Sequence, residues 1–324
     1  MTRVPVRLLP SLVLLHLWVG AAFAETLQET EALVWLQKIA NAARQLNYAG
    51  TFVYQHGDHV ESSRITHFVD RAGECEKLET LDGPKREIIR TDDEILTLDG
   101  EHHVVKRERR TRRNSFPALL PDQLSHLTEH YQLRKGDQER IAGYDAQALV
   151  LEPRDGFRYG HKLWADVNTG LLLKARMLDE RGHVVEQSVF TQLSIGSGVT
   201  RPSFGPLPPE WRREQQGPDS AAPADTGWIV KDQPAGFRKI IEMRRLKAGT
   251  QTPVAHLVYS DGLAAVSVFI EPLPTTRKVQ EGLTRQGAVN IYTRPLPDQL
   301  VTVLGEAPAV TVMQMANSVT PRGQ

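Results

Sequence analysis

Two histidines flank a tight turn at His56-Gly-Asp-His59, the chain's best metal candidate, because imidazole nitrogens beside a carboxylate are zinc ligands. A third ligand is missing nearby in sequence, so a solvated hairpin turn is the stronger reading. His102-His103 would point its two rings to opposite faces if the segment were a strand, which argues against a shared ion. Ile195-Gly-Ser-Gly198 sets glycines around a serine without the spacing of a nucleophile elbow. Asp92-Asp93 is too common a pair to signal acid–base chemistry. No phosphate-cradling or dinucleotide loop is present. The residues therefore give catalysis no foothold, and no cofactor is implied.

The basic run from Lys106 to Arg113 stands out, with six cations in eight residues of a chain holding 39 basic and 39 acidic residues. Arg109, Arg110, Arg112 and Arg113 could grip phosphates or an acidic peptide bidentately. Charge that merely protects an edge strand is the alternative, and both stay open. Cys75 is the single cysteine and cannot pair within the chain, so it reads as a buried small residue or a free thiol.

Positioning elements follow from pattern. Arg3 and Arg7, the apolar stretch Leu8–Val19 and Ala22-Phe-Ala24 have the anatomy of a secretory signal cleaved after Ala24. Removing residues 1–24 leaves 37 basic against 39 acidic residues, a balance that speaks against nucleic-acid binding. Thr26-Leu-Gln-Glu29 reads as a capping box opening an amphipathic helix to residue 46, with Leu33, Leu36, Ile39 and Ala43 on its apolar stripe.

Short strands separated by turn signals then run from Tyr48 to about Gly196, a cadence that suggests a sandwich, barrel or curled sheet. Several have apolar residues on both faces. Leu171, Leu173, Ala175 and Met177 alternate against Leu172, while Leu163, Ala165 and Val167 alternate against Trp164. One face can cover the helix, while the other either packs into a two-layer core filled by side chains, the stronger reading, or lines a second apolar space.

Residues 201–226 are rich in proline, glycine and charge and form a linker, whose Trp211 can dock on a domain. A smaller α+β unit, residues 227–324, follows, making a signal segment (1–24), a large domain (25–200), a linker and a small domain. Its strongest signal is the hairpin around Asp261-Gly262, a dipeptide suited to a two-residue type I′ turn that sets Tyr259 opposite Ala264. Pro308 opens a terminal helix with Val312, Met315 and Val319 on one stripe, after which the chain is expected to fray.

Six stretches carry a resemblance: LNYAGTFVYQHGDHVESSRITH at 46–67, EKLETLDGPKREIIR at 76–90, RYGHKLWADVNTGLLLK at 158–174, PAGFR at 234–238, YSDGLAAVSVFIEP at 259–272 and VTVLGEAP at 301–308. As a set they resemble the RseB/MucB family of periplasmic regulators of the sigma-E type envelope stress response. The resemblance implies an α+β, mostly antiparallel β fold, a LolA/LolB-like half-open barrel around a helix plus a smaller α+β domain. It implies a periplasmic, non-enzymatic regulator that binds the periplasmic part of an anti-sigma factor of RseA/MucA type. It further implies that the partner is shielded from site-1 proteolysis and that lipid or lipopolysaccharide releases the hold.

On that reading Arg109, Arg110, Arg112, Arg113, Trp164 and Leu172 are the candidate lipid contacts. Tyr259, Ser260, Asp261, Gly262 and Leu263 are the candidate partner contacts. A lipid or lipoprotein carrier is the competing function, and a homo-oligomer stays open.

Overall fold

The computed structural model describes residues 14–109, 115–121, 123–202, 209–215, 225–246, 252–273 and 279–323. α1 (Leu14–Gln45) leads into β1 (Tyr48–His56), β2 (His59–Asp70), β3 (Gly73–Thr80), β4 (Arg86–Thr91), β5 (Glu94–Asp99) and β6 (Val104–Arg109). After a loop and the single turn α2 (Leu127–His130) come β7 (Tyr131–Ile141), β8 (Tyr144–Pro153), β9 (Gly160–Asp166), β10 (Leu172–Leu178), β11 (Val184–Ile195) and β12 (Arg212–Gln215). The remainder is β13 (Trp228–Val230), β14 (Arg238–Leu246), β15 (Pro253–Ser260), β16 (Ala265–Pro272), β17 (Gly282–Gln286), β18 (Val289–Pro295), β19 (Gln299–Gly305), α3 (Ala309–Asn317) and β20 (Val319–Pro321).

β1 to β12 form one sheet in the order β12-β6-β5-β4-β3-β2-β1-β11-β10-β9-β8-β7, antiparallel except for β12 beside β6. Its first and last strands do not meet, so the sheet curls without closing and has a helix-facing side and an outer side. This is the half-open arrangement the resemblance implies. Leu36, Ile39 and Ala40 of α1 are buried against Leu133, Leu149, Leu163 and Phe190 of the strands. Side chains thus fill the space between helix and sheet. Gly50 lets the sheet bend here, since a Cβ at that position would lie 2.4 Å from the Gln192 carbonyl oxygen. Opposite it, β11 carries a bulge where Thr51 and Phe52 face Gln192 and Phe190.

His67 pins the helix end. Its Nδ1–H donates to the Leu46 carbonyl at 2.8 Å, and its ring stacks on Tyr48 with centroids 4.8 Å apart.

A six-stranded sheet, β14-β15-β16-β19-β18-β17, packs α3 against one face through Val312 and Met315, and the pair β13-β20 completes this smaller unit.

Five expectations change. α1 runs unbroken through Thr26–Glu29, so the capping box opens no helix in the full-length chain. Among the described residues, no helix is long and apolar enough to cross a membrane. His102-His103 lies in the turn before β6, where His102 Nδ1 meets Asp99 Oδ2 at 2.9 Å and His103 packs edge-on against Trp211. Part of the expected linker is ordered as β12, whose pairing covers the strand holding the start of the basic run.

At the end of the chain, Val319 belongs to β20 rather than to α3, and Arg322 N donates to the Gly227 carbonyl at 2.7 Å. That terminus is therefore fastened. The fifth change is the register of β15 and β16. Ser260 pairs with Ala265 and Tyr259 with Val266, leaving a four-residue loop, Asp261–Ala264, in place of a two-residue turn. The shift moves the partner strand by two residues, so Ala255, Leu257 and Tyr259 keep their apolar face toward Val266, Val268 and Ile270.

Candidate functional site

The loop departs from a two-residue turn because the Asp261 carboxylate organises it. Oδ1 accepts the Leu263 and Ala264 amides at 3.0 and 2.8 Å, and Ser260 Oγ accepts the Gly262 amide at 3.0 Å. Gly262 supplies the required positive φ of 105°. Asp261 Oδ2 is left to reach the larger unit, where Arg158 Nη1 donates to it at 2.9 Å and the Tyr131 hydroxyl at 3.2 Å. Both charged side chains of the Arg158–Asp261 pair are fully shielded from solvent.

Arg158 is satisfied all round. Nε and Nη2 each donate to Asp155 at 3.0 Å, Nη2 also donates to the Ala235 carbonyl at 2.6 Å, and the guanidinium lies over the Tyr131 and Phe237 rings. This is the geometry in which a buried ion pair survives desolvation.

The tip is one of several contacts along a seam between the units. Leu263 packs on the core under α1, and Gly262 faces Pro121 and Leu127. Gly236, at φ 85°, lies so close to His130 that a Cβ would fall 2.2 Å from Nε2. Asn290 Nδ2 donates to the Tyr159 hydroxyl at 2.9 Å, and Thr311 Oγ1 donates to the Phe157 carbonyl at 2.6 Å. Tyr159, Met177 and Val185 bury Ala288 between the two sheets.

Titratable groups along the seam are strongly perturbed. Burial pushes the Tyr131 hydroxyl well above its ordinary range, with the Asp261 charge adding to it. Burial lowers His161 to about 4. Glu186 is raised to about 7 by burial first and by the Glu306 charge second, against the hydrogen bond it accepts from Tyr54 at 3.0 Å.

Tyr259, Ser260, Asp261, Gly262 and Leu263 are thus brought together, but at a tip that the larger unit already occupies. Tyr259 and Asp261 are buried and the other three half-buried. Of the proposed lipid residues, Trp164 and Leu172 are not brought together. A bulge in β10 between Leu172 and Lys174 puts Leu171, Leu172 and Ala175 together in the core beneath α1, while Leu173 joins Trp164 on the outer side. The alternation expected for this strand fails there, and Leu172 and Trp164 stand on opposite faces, both fully buried. Arg109 ends β6, and Arg110, Arg112 and Arg113 lie outside the described residues.

His56 and His59 pair across a two-residue turn with ring centroids 4.9 Å apart, as the turn reading expects. Cys75 is buried and unpaired on β3. Arg158, Tyr131 and Asn290 were not singled out by sequence reasoning. Their partners lie 103, 130 and 131 residues away, so no local spacing marks them.

These residues are held by an open half-barrel packed on a helix and joined along the seam to a smaller sheet, the half-open arrangement described above. Residues 31–211 match the MucB/RseB N-terminal domain and residues 222–320 the MucB/RseB C-terminal domain, and the chain belongs to the MucB/RseB family. It is 34% identical over 300 residues to the sigma factor AlgU regulatory protein MucB of Pseudomonas aeruginosa, covering 91% of this chain and 92% of that one. It is 28% identical over 298 residues to the sigma-E factor regulatory protein RseB of Salmonella typhimurium, covering 88% and 89%.

A crystal structure of MucB in complex with MucA(peri) aligns with a TM-score of 0.72 at 32% identity, covering 90% of this chain and all of that one. A second structure, of Pseudomonas aeruginosa MucA/MucB, gives 0.73 at 31% identity, covering 91% and all of that chain. The family is one of regulatory proteins, not enzymes.

Proposed function

We propose that this chain is an exported periplasmic regulator, freed of its signal segment after Ala24, that binds the periplasmic part of a membrane anti-sigma factor. By covering that segment it keeps site-1 proteolysis from starting, and lipid or lipopolysaccharide relieves the cover. The supporting observation is the end-to-end likeness to MucB in complex with MucA(peri), spanning 90% of this chain. The two units act as a large domain (25–200) and a small domain (227–324) joined by residues 201–226.

Partner contact is placed at the seam beside Tyr259, Ser260, Asp261, Gly262 and Leu263. Because Asp261 is sealed by Arg158 and Tyr131, a partner reaching the tip has to open that contact. Opening is then the linkage element, since any ligand that favours the closed seam weakens partner binding by its own preference for that state. Lipid meets the cations Arg109, Arg110, Arg112 and Arg113.

Calorimetric titration of the full-length chain with an anti-sigma periplasmic segment tests this reading. Arg158→Met removes the closing contact from the far side of the seam, leaves the tip residues in place, and is expected to tighten binding. Weaker binding would show that the closed tip itself is what the partner reads. No binding by the unaltered chain would remove the proposal. Neutralising all four arginines is expected to weaken lipid-triggered release and flatten its salt dependence.

A further inference from the structure

On the outer side of the large sheet, away from α1, three cations converge on one indole. Lys162 Nζ, Lys174 Nζ and the Arg176 guanidinium carbon lie 4.7, 4.3 and 5.5 Å from the centre of the fully buried Trp164 ring. β-pairing puts them there, since Trp164 sits opposite Lys174 and Lys162 opposite Arg176. Trp164 in turn rests on Ala146 and Ala148, whose small side chains make room for it.

An indole face holds a cation electrostatically, but one suffices to cap the ring. Three cations crowded at this range repel one another. The acid facing them is Glu139, and its two carboxylate oxygens stand 3.9 and 3.8 Å from the lysine ammoniums, beyond hydrogen-bond length. Arg176 spends its Nε on the neutral Gln187 at 2.6 Å. Lys174 holds its proton less firmly than an ordinary lysine, through burial first, then Arg176, with Lys162 adding to the effect and Glu139 opposing it.

The cluster therefore carries a net positive excess in half-buried surroundings. Glu139 marks where an oxyanion can bridge both ammoniums without satisfying either. Lys162 also lines a cleft of ≈ 530 Å³ whose wall carries Arg134, Asp137, Glu152 and Asp179 beside Val150 and Gly160, so there is polar room next to the charged end.

We propose that Lys162, Lys174 and Arg176 over Trp164 form a binding site for a phosphoryl group. Three oxygens of a phosphate can take an ammonium, an ammonium and the free edge of a guanidinium at once, as a carboxylate cannot. The phosphoryl group comes either from a soluble phosphate or from a lipid headgroup. Its residues are other than those of the run at Arg109–Arg113, and it does not depend on the partner-shielding reading.

Two probes separate the sources: calorimetric titration of the full-length chain with inorganic phosphate, and flotation with phosphatidylglycerol vesicles against phosphatidylcholine vesicles. K162Q/K174Q is expected to weaken binding at least about tenfold, the loss of charge-assisted bonds. E139Q keeps both lysines and removes the competing internal anion, so it is expected to strengthen binding by about threefold or more at low salt. That opposite-signed response is one a purely structural cluster does not give. The pattern in the phosphate arm alone identifies a soluble ligand, and in the vesicle arm alone a headgroup. Binding of either probe that ignores both variants, or absence of binding in both arms, overturns the site.

Discussion

Arg158 and Asp261 lie 103 residues apart and both side chains are sealed from solvent, so Asp261 loses its cationic partner when Arg158 is removed, whereas Arg158 still has Asp155. Removing Arg158 strands the buried Asp261 carboxylate, which costs about 3–5 kcal/mol where no water can reach it. Arg158→Met is accordingly expected to lower the urea midpoint strongly, and Arg158→Met with Asp261→Leu to recover much of the loss. A double variant as unstable as the sum of the singles would show that the two do not act as a pair.

Glu186 makes the seam sensitive to pH. Its carboxyl is raised to about 7 from an ordinary value of 4.5, so folding favours the protonated form. Its contribution is complete below about pH 4.5 and is lost as pH rises to about 7. His161, lowered to about 4 from an ordinary 6.5, acts in the opposite sense, contributing fully above about pH 6.5 and losing that as pH falls toward 4. Glu186→Gln is expected to stabilise the chain at pH 7.5, by roughly 2 kcal/mol after allowance for partial exposure, and to leave it unchanged near pH 4. Equal stability of variant and parent at pH 7.5 would contradict this.

At the scale of elements, the large sheet depends on the close approach of Gly50 to β11, next to the bulge at Thr51 and Phe52. Gly50→Ala drives a methyl into the Gln192 carbonyl at 2.4 Å and the Phe190 ring at 3.0 Å. With backbone on one side there is little room to relax, and thermal unfolding should show a loss of about 1–3 kcal/mol. Leu36→Ala, at a fully buried position of α1, should cost about 2–5 kcal/mol by the same measurement.

Much of this architecture was legible in the chain. Alternation and turn signals marked the strand-rich stretch from Tyr48 to about Gly196, where β1 to β11 run from Tyr48 to Ile195, and the apolar stripe of α1 faces the core as its spacing requires. What was not legible has definite causes. The hairpin register read as a two-residue turn because Asp-Gly favours one, yet Asp261 bonds to its own loop amides and to a guanidinium distant in sequence. The bulge at Leu173 sits in a run of three leucines, where no polar residue betrays which face each one takes. The seam was invisible for the same reason. Tyr131, Arg158 and Asn290 are ordinary residues until the fold brings their partners across.

On the scale of the whole molecule, the seam joins two sheets through polar contacts at the hairpin tip and at Asn290 and Thr311, and through apolar burial around Leu263 and Ala288. Such a junction is well suited to two states, because sealed ion pairs are either made or broken. A partner that needs the seam open and a ligand that favours it closed would each act on the other's affinity through this one element.

The most direct test of that account follows the site-1 protease cutting an anti-sigma periplasmic segment, with and without the purified full-length chain. Cutting is expected to slow when the chain is present and to recover on adding lipopolysaccharide. The same rate in the presence and absence of the chain would contradict the central claim.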